Sequence, residues 1–218
     1  MRSFRNICVM FVVIVAAGAL VWAAEEKSSK AADEKSAKPA AAAAGADMPD
    51  PAKMMETMMK LGTPGPQHER LKALAGKWDA DVTVQMMPGM PEEKSKGTEV
   101  DEVLWEGRYL ETSFTGDFNG MPFKGHGLWG YDNAKQKYIS LWIDSMSTMV
   151  MSAEGTPDES GKIITVKCDT TCPMTGKPMA VRAVLTLNDP DHHTYESFAS
   201  LDGGPEHKSM TIKYSRAK

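Results

Sequence analysis

The chain has 218 residues, a formal net charge of −4, 42% hydrophobic and 25% charged residues, which suits one globular domain with short appendages. A mildly acidic chain without a cluster of Lys and Arg excludes the phosphate-binding surface that nucleic acid requires. The 13 Pro and 18 Gly fit a turn-rich β protein, and the 17 Met are an unusually high count.

Arg2 and Arg5 precede an apolar run from Ile7 to Leu20, and Val21-Trp22-Ala23 places small residues where a signal peptidase needs them. We expect a signal peptide over 1–23, cleaved after Ala23, and export to the periplasm or beyond. The alternative is an uncleaved anchor, because no charge occurs between Asn6 and Ala24, close to the shortest bilayer span. That segment would be the protein's one membrane contact. Cys8 stands too early to be a lipoprotein cysteine. Residues 24–48 are mostly Ala, Lys, Glu and Ser and cannot bury enough surface to offset chain entropy, so a disordered linker is expected.

Asp50-Pro51 supplies an N-cap and a first-turn proline, and Met54, Met55, Met58, Met59 and Leu61 follow at helical spacing up to Gly62. Thioethers at this spacing suit Cu(I), or they form an adaptable apolar face that docks on the rest of the domain. With no His or Cys in the stripe, packing is the better reading. After the Thr63-Pro64-Gly65-Pro66 turn, a second helix over 67–75 presents His68, Leu71 and Leu74 on one side. Residues 49–75 are thus expected as short helices packing on a β domain over 76–218.

That domain opens with a strand over 77–84, in which Trp78, Ala80, Val82 and Val84 alternate with Asp79, Asp81 and Thr83. Further strands follow over 97–105, 108–118, 123–131, 138–144, 148–154, 162–167, 179–187, 194–200 and 207–214. Asn119-Gly120 is a strong hairpin signal. The fourth strand carries Gly125 and Gly127 on the face of Phe123, Trp129 and Tyr131, which suggests a sharp bend or a close approach by another group. The fifth puts Tyr138, Ser140, Trp142 and Asp144 on one face. Short turns and almost no intervening helix rule out a parallel sheet. The expected fold is all-β: an antiparallel up-and-down meander of about 9–10 strands closing into a barrel, with one or two short N-terminal helices. A β-sandwich is the alternative.

A short helix followed by Gly76-Lys77-Trp78 and a meander is similar to the opening of the calycins, the lipocalin-like barrels. In those folds a basic residue of the last strand covers this Trp, a role open here to Arg216 or Lys213. More specifically, Pro64-Gly65-Pro66-Gln67-His68, Gly130-Tyr131-Asp132-Asn133, Trp142-Ile143-Asp144-Ser145-Met146-Ser147-Thr148 and Pro173-Met174-Thr175-Gly176-Lys177, with Arg182, resemble the bacterial family known as domain of unknown function 1579. The resemblance runs over roughly 50–218 and implies a calycin-like barrel in an exported protein. It implies no activity.

Candidate chemistry concentrates on the fourth and fifth strands. Trp129, Tyr131, Tyr138, Trp142 and Asp144 are the expected lining of a ligand pocket. Asp144 serves either as a general acid or base, helped by His126 or Arg182, or as a turn acceptor for Ser147, Thr148 and nearby amides. The second role fits its setting better. Lys124 and Leu128 share the face of His126 and place it at the rim or outside, against a haem-ligating role. His192 and His193, in the turn from Asp189, read as surface residues and not as a metal pair. Cys168 and Cys172 are expected to pair as a disulfide in an exported protein, provided that Asp169-Thr170-Thr171 forms a tight loop. No metal site and no cofactor is assigned, and no Gly-x-Ser-x-Gly, His-Glu-x-x-His or nucleotide-binding glycine loop occurs. The expected partner is a small hydrophobic molecule. A filled barrel acting as an interaction module and an enzyme using Asp144 are the other two readings.

Overall fold

Ten strands close into one antiparallel barrel in a computed structural model that describes residues 50–218. The expected signal peptide and linker lie outside the described residues. Among the described residues no helix is long and apolar enough to cross a membrane. Two helices come first, α1 (Pro51–Gly62) and α2 (Pro66–Lys72). The strands are β1 (Gly76–Val84), β2 (Glu93–Leu104), β3 (Tyr109–Phe118), β4 (Met121–Asp132), β5 (Lys137–Asp144), β6 (Met151–Pro157), β7 (Ile163–Thr171), β8 (Pro178–Asp189), β9 (His192–Leu201) and β10 (His207–Arg216). Each strand pairs with its neighbours in sequence, and β1 pairs with β10 to close the ring. Closure leaves no free sheet edge. The expected barrel is the observed one.

The barrel has a plugged end and an open end. Toward α2 four inward-facing residues are sealed: Trp78, Leu110, Tyr138 and Ile164 are at most 1% exposed. Toward the other end Val82, Phe123, Trp142, Met151, Val181 and Met210 share the inward face yet are only half-buried. The plug is α2, whose His68 and Leu71 are buried against the ends of β3 and β4. Gly65 N donates to His68 Nδ1 at 3.0 Å, so this histidine caps its own helix.

The closure seam is fixed by Trp78. Its indole N–H donates to Leu74 O at 2.8 Å, and the Arg216 guanidinium lies 4.1 Å above the ring. Arg216 also donates to the carbonyls of Ala73, Ala75 and Pro190, tying α2, β1 and the β8–β9 turn to the last strand. The basic cover expected for Trp78 is therefore Arg216.

Three expectations are corrected. Helix α1 forms, capped by Asp50, but it buries no residue. Its methionines are exposed, and the Asn133 amide, donating to Leu61 O and Thr63 O, ties its end to the barrel. The apolar stripe is thus not docked. The sixth strand begins at Met151 and not at residue 148. Asp144 accepts from Met146 N and Ser147 Oγ from Met149 N, which turns the chain before pairing resumes. Finally, Cys168 and Cys172 are both free. Residues up to Thr171 stay in β7 instead of looping, and at about 3.3 Å per residue four extended steps separate the Cα atoms well beyond disulfide reach.

Candidate functional site

The inward wall of β3–β5 is built as the alternation implied. Pairing sets Gly127 opposite Trp142, Trp129 opposite Ser140, and Tyr131 opposite Tyr138, so Trp129, Tyr131, Tyr138, Trp142 and Asp144 share the inner face. The two glycines of β4 make room for an aromatic ring. A Cβ on Gly125 would lie 2.1 Å from Trp142 Cζ2, and one on Gly127 would lie 3.1 Å from Trp142 Cε3. The close approach inferred for this strand is the indole lying flat across it.

Within that wall the five residues differ. Tyr138 is 0% exposed and donates to Gln67 O at 3.3 Å, which makes it part of the α2 plug. Tyr131 packs edge-on between Tyr138 and His68. Trp129 and Trp142 are half-buried, with Trp142 toward the open end. Asp144 sits at the end of β5 and accepts from the Trp142 indole at 3.3 Å and from Met146 N at 2.9 Å. It fixes the indole and the turn. His126 faces outward, 3.1 Å from Glu111, and Arg182 lies on the outer wall with Glu206, so neither joins Asp144.

Beside this wall, where β2 pairs with β3, the inner face carries a polar cluster. Glu99 and Asp101, two positions apart on the inward face of β2, are 6% and 4% exposed. Each carboxyl engages one oxygen: Tyr214 Oη donates to Glu99 Oε2 at 2.9 Å, and Thr112 Oγ1 donates to Asp101 Oδ1 at 2.7 Å. Burial, reinforced by the neighbouring Asp101, pushes Glu99 up to about 8. Burial likewise raises Asp101, to about 7, against its bond from Thr112 and the positive charge of Arg216. The pair therefore holds protons into the neutral range. Tyr214 is raised well above the ordinary phenol value by burial and by Glu99, and Tyr195 to about 12.

His193 completes the cluster. It is 3% exposed, stacks on Tyr214 with ring centroids 4.2 Å apart and meets Trp78 edge-on at 4.4 Å. Burial, then the charge of Arg216, lowers it to about 4, so it is neutral at pH 7. Its Nδ1 is sealed from solvent without a hydrogen-bond partner. The surface-turn reading holds for His192, which pairs with Asp189 at 2.9 Å, and fails for His193, because β9 begins at that turn and sends alternate residues inward.

Glu99 and Asp101 escaped the sequence reading, although one signal was present. Residues Glu99-Val100-Asp101-Glu102 put a carboxylate on both faces of the strand, so either register takes acid into the barrel. Among the described residues no group of His, Cys, Asp and Glu is arranged to hold a metal ion. Two grooves on the wall, about 390 Å³ beside Lys167, Arg182 and Glu206 and about 570 Å³ beside Asp79, Lys96 and Thr115, are open and lack a buried polar centre.

The family described as "Protein of unknown function (DUF1579)" matches residues 63–216. The chain belongs to that family. The match spans the plug and the entire barrel of this DUF1579 protein and leaves out α1. No curated protein matches the sequence. Among solved structures, the chain is similar to Rv2717c from M. tuberculosis, with a TM-score of 0.52 and 15% identity over 72% of this chain and 100% of that one. It is also similar to the S-type phycobiliprotein lyase CPES from Guillardia theta, with a TM-score of 0.51 and 12% identity over 69% of this chain and 92% of that one. At such identities the likeness is one of fold.

Proposed function

We propose that this DUF1579 protein is an exported binding protein that holds a small, mainly apolar molecule in the half of the barrel remote from α2. The observation that carries the reading is the gradient of burial along the inward face. Trp78, Leu110, Tyr138 and Ile164 toward the α2 end are sealed, while Val82, Phe123, Trp142, Met151 and Met210 toward the other end remain partly accessible despite facing inward. Such concave apolar linings with a few placed polar groups are what small-molecule sites use. The likeness in fold to a phycobiliprotein lyase is compatible with this reading. The apolar N-terminal run supports a periplasmic or secreted location. Catalysis by Asp144 is not favoured, since both its oxygens hold local structure.

Titration with the neutral fluorophore N-phenyl-1-naphthylamine tests the proposal. Saturable enhancement with one site per chain is expected, weakened several-fold in Trp142→Ala. A linear, non-saturating response would refute it.

A further inference from the structure

The lumen contains an anchoring group that an apolar ligand alone would not use. Glu99 and Asp101 lie side by side on β2, and neither carboxyl forms an ion pair among the described residues. The nearest cation, Arg216, spends its guanidinium on Ala73, Ala75 and Pro190 carbonyls and on the Asp191 carboxylate at 3.5 Å. One oxygen of each carboxyl accepts from Tyr214 or Thr112. Among the described residues no further hydrogen bond of good geometry reaches the second oxygen of either carboxyl, although the Trp78 indole also lies close to Asp101, and the unpartnered sealed side-chain atoms are His193 Nδ1 and His207 Nε2. His193, inward-facing and more than nine-tenths buried, adds an orphaned ring nitrogen beside Tyr214. Buried polar groups left in this condition are costly unless something fills the vacancy.

We propose that Glu99 and Asp101 form a cation subsite at the inner end of the lumen, which receives the protonated amine of an amphiphilic ligand whose apolar body lies against Trp142 and Phe123. The assignment rests on the lumen-binding reading above and narrows it to one ligand class: a primary or secondary amine on an apolar frame. The ammonium donates to the second oxygen of each carboxyl, forming charge-assisted bonds that are strong where water is excluded. A carboxylate or phosphate ligand would instead bring a like charge to the pair.

The chemistry carries a proton linkage. Without a ligand the pair retains protons because of burial and mutual repulsion, and an arriving ammonium takes the place of a proton. The other groups around the pair are Tyr214 and Arg216 from β10, neutral His193 and Tyr195 from β9, and Cys168 from β7 beside Tyr195. Burial keeps His193 neutral and holds the Tyr195, Tyr214 and Cys168 protons in place between pH 7 and 8.5. Amine affinity therefore rises with pH across that range, while the affinity of an uncharged analogue stays level.

The experiment is competition against bound N-phenyl-1-naphthylamine by octylamine, octanol and octanoate, which share a chain and differ in head group. At pH 8.5 octylamine should displace the probe at a concentration about tenfold lower than octanol, as one charge-assisted hydrogen bond implies. Octanoate should be the weakest of the three. The amine-to-alcohol ratio should shrink toward one at pH 5.5, and at pH 8.5 it should collapse in Glu99→Gln and in Asp101→Asn. Should Glu99→Gln fail to fold, Asp101→Asn and the pH series on the unaltered protein decide. Probe binding with octanol or octanoate equal to octylamine, or a ratio independent of pH, overturns the cation subsite and leaves the lumen reading intact. Failure of the probe to bind at all removes both.

Discussion

Glu99 and Asp101 couple the stability of the barrel to pH, and the sign follows from their raised values. In the unfolded chain these carboxyls ionise in the usual carboxylate range. In the folded chain they retain protons to about 8 and about 7. The stabilisation they contribute is complete at acid pH and is lost as pH rises to the folded values. His193 acts the other way: lowered to about 4, it stays neutral in the fold while its unfolded counterpart protonates below about 6.5. Its contribution is present above that value and fades as pH falls. The two trends oppose each other below 6.5, and the carboxyls act alone above it. Thermal denaturation without ligand should therefore show stability falling between pH 6.5 and 8.5, by about 2 kcal/mol if one proton is retained across most of that window. Glu99→Gln should flatten this slope.

At the scale of elements, the two helices make opposite contributions. Leu71 of α2 is 2% exposed, and Leu71→Ala should cost about 2–4 kcal/mol in urea denaturation by leaving a cavity beneath the plug. Met58 of α1 is 65% exposed, and Met58→Glu should change stability by less than about 0.5 kcal/mol. A large loss from Met58→Glu would mean that α1 is docked in solution. Both helices were legible before the fold was known, since Asp50-Pro51 is a start signal, the Thr63–Pro66 turn separates the two, and the apolar spacing is helical. Their packing was not legible. An apolar stripe shows that a face can be buried, but whether it is depends on a complementary surface within reach. The chain turns at Gly65 so that α2, not α1, lies over the barrel end.

For the whole molecule, closure depends on β1 meeting β10 across the full length of the barrel sequence, and Arg216 is the bolt. Arg216→Ala removes a cation–π contact with Trp78 and hydrogen bonds to three carbonyls, and should destabilise the fold by about 2–3 kcal/mol. Arg216→Lys should recover only part of this, because an ammonium cannot reach three divergent acceptors. Chemical denaturation followed by Trp fluorescence would measure both, with Trp78 as the reporter nearest the change.

The amino-acid sequence by itself determined the order of elements, the antiparallel meander and the shared face of Tyr138, Trp142 and Asp144. These depend on period-two alternation and turn residues, which act over a few residues. Tertiary structure decided what that face meets. The bending of the sheet placed it on the inside, α2 sealed Tyr138 at one end, and Trp142 was left partly accessible at the other. It also carried Glu99 and Asp101 from a strand with acid on both faces into the lumen, and turned His193 inward one residue past a surface turn. Such outcomes depend on strand register around a closed ring, where partners such as Glu99 and Tyr214 lie 115 residues apart. No local pattern encodes a meeting at that separation; it follows from closing the barrel.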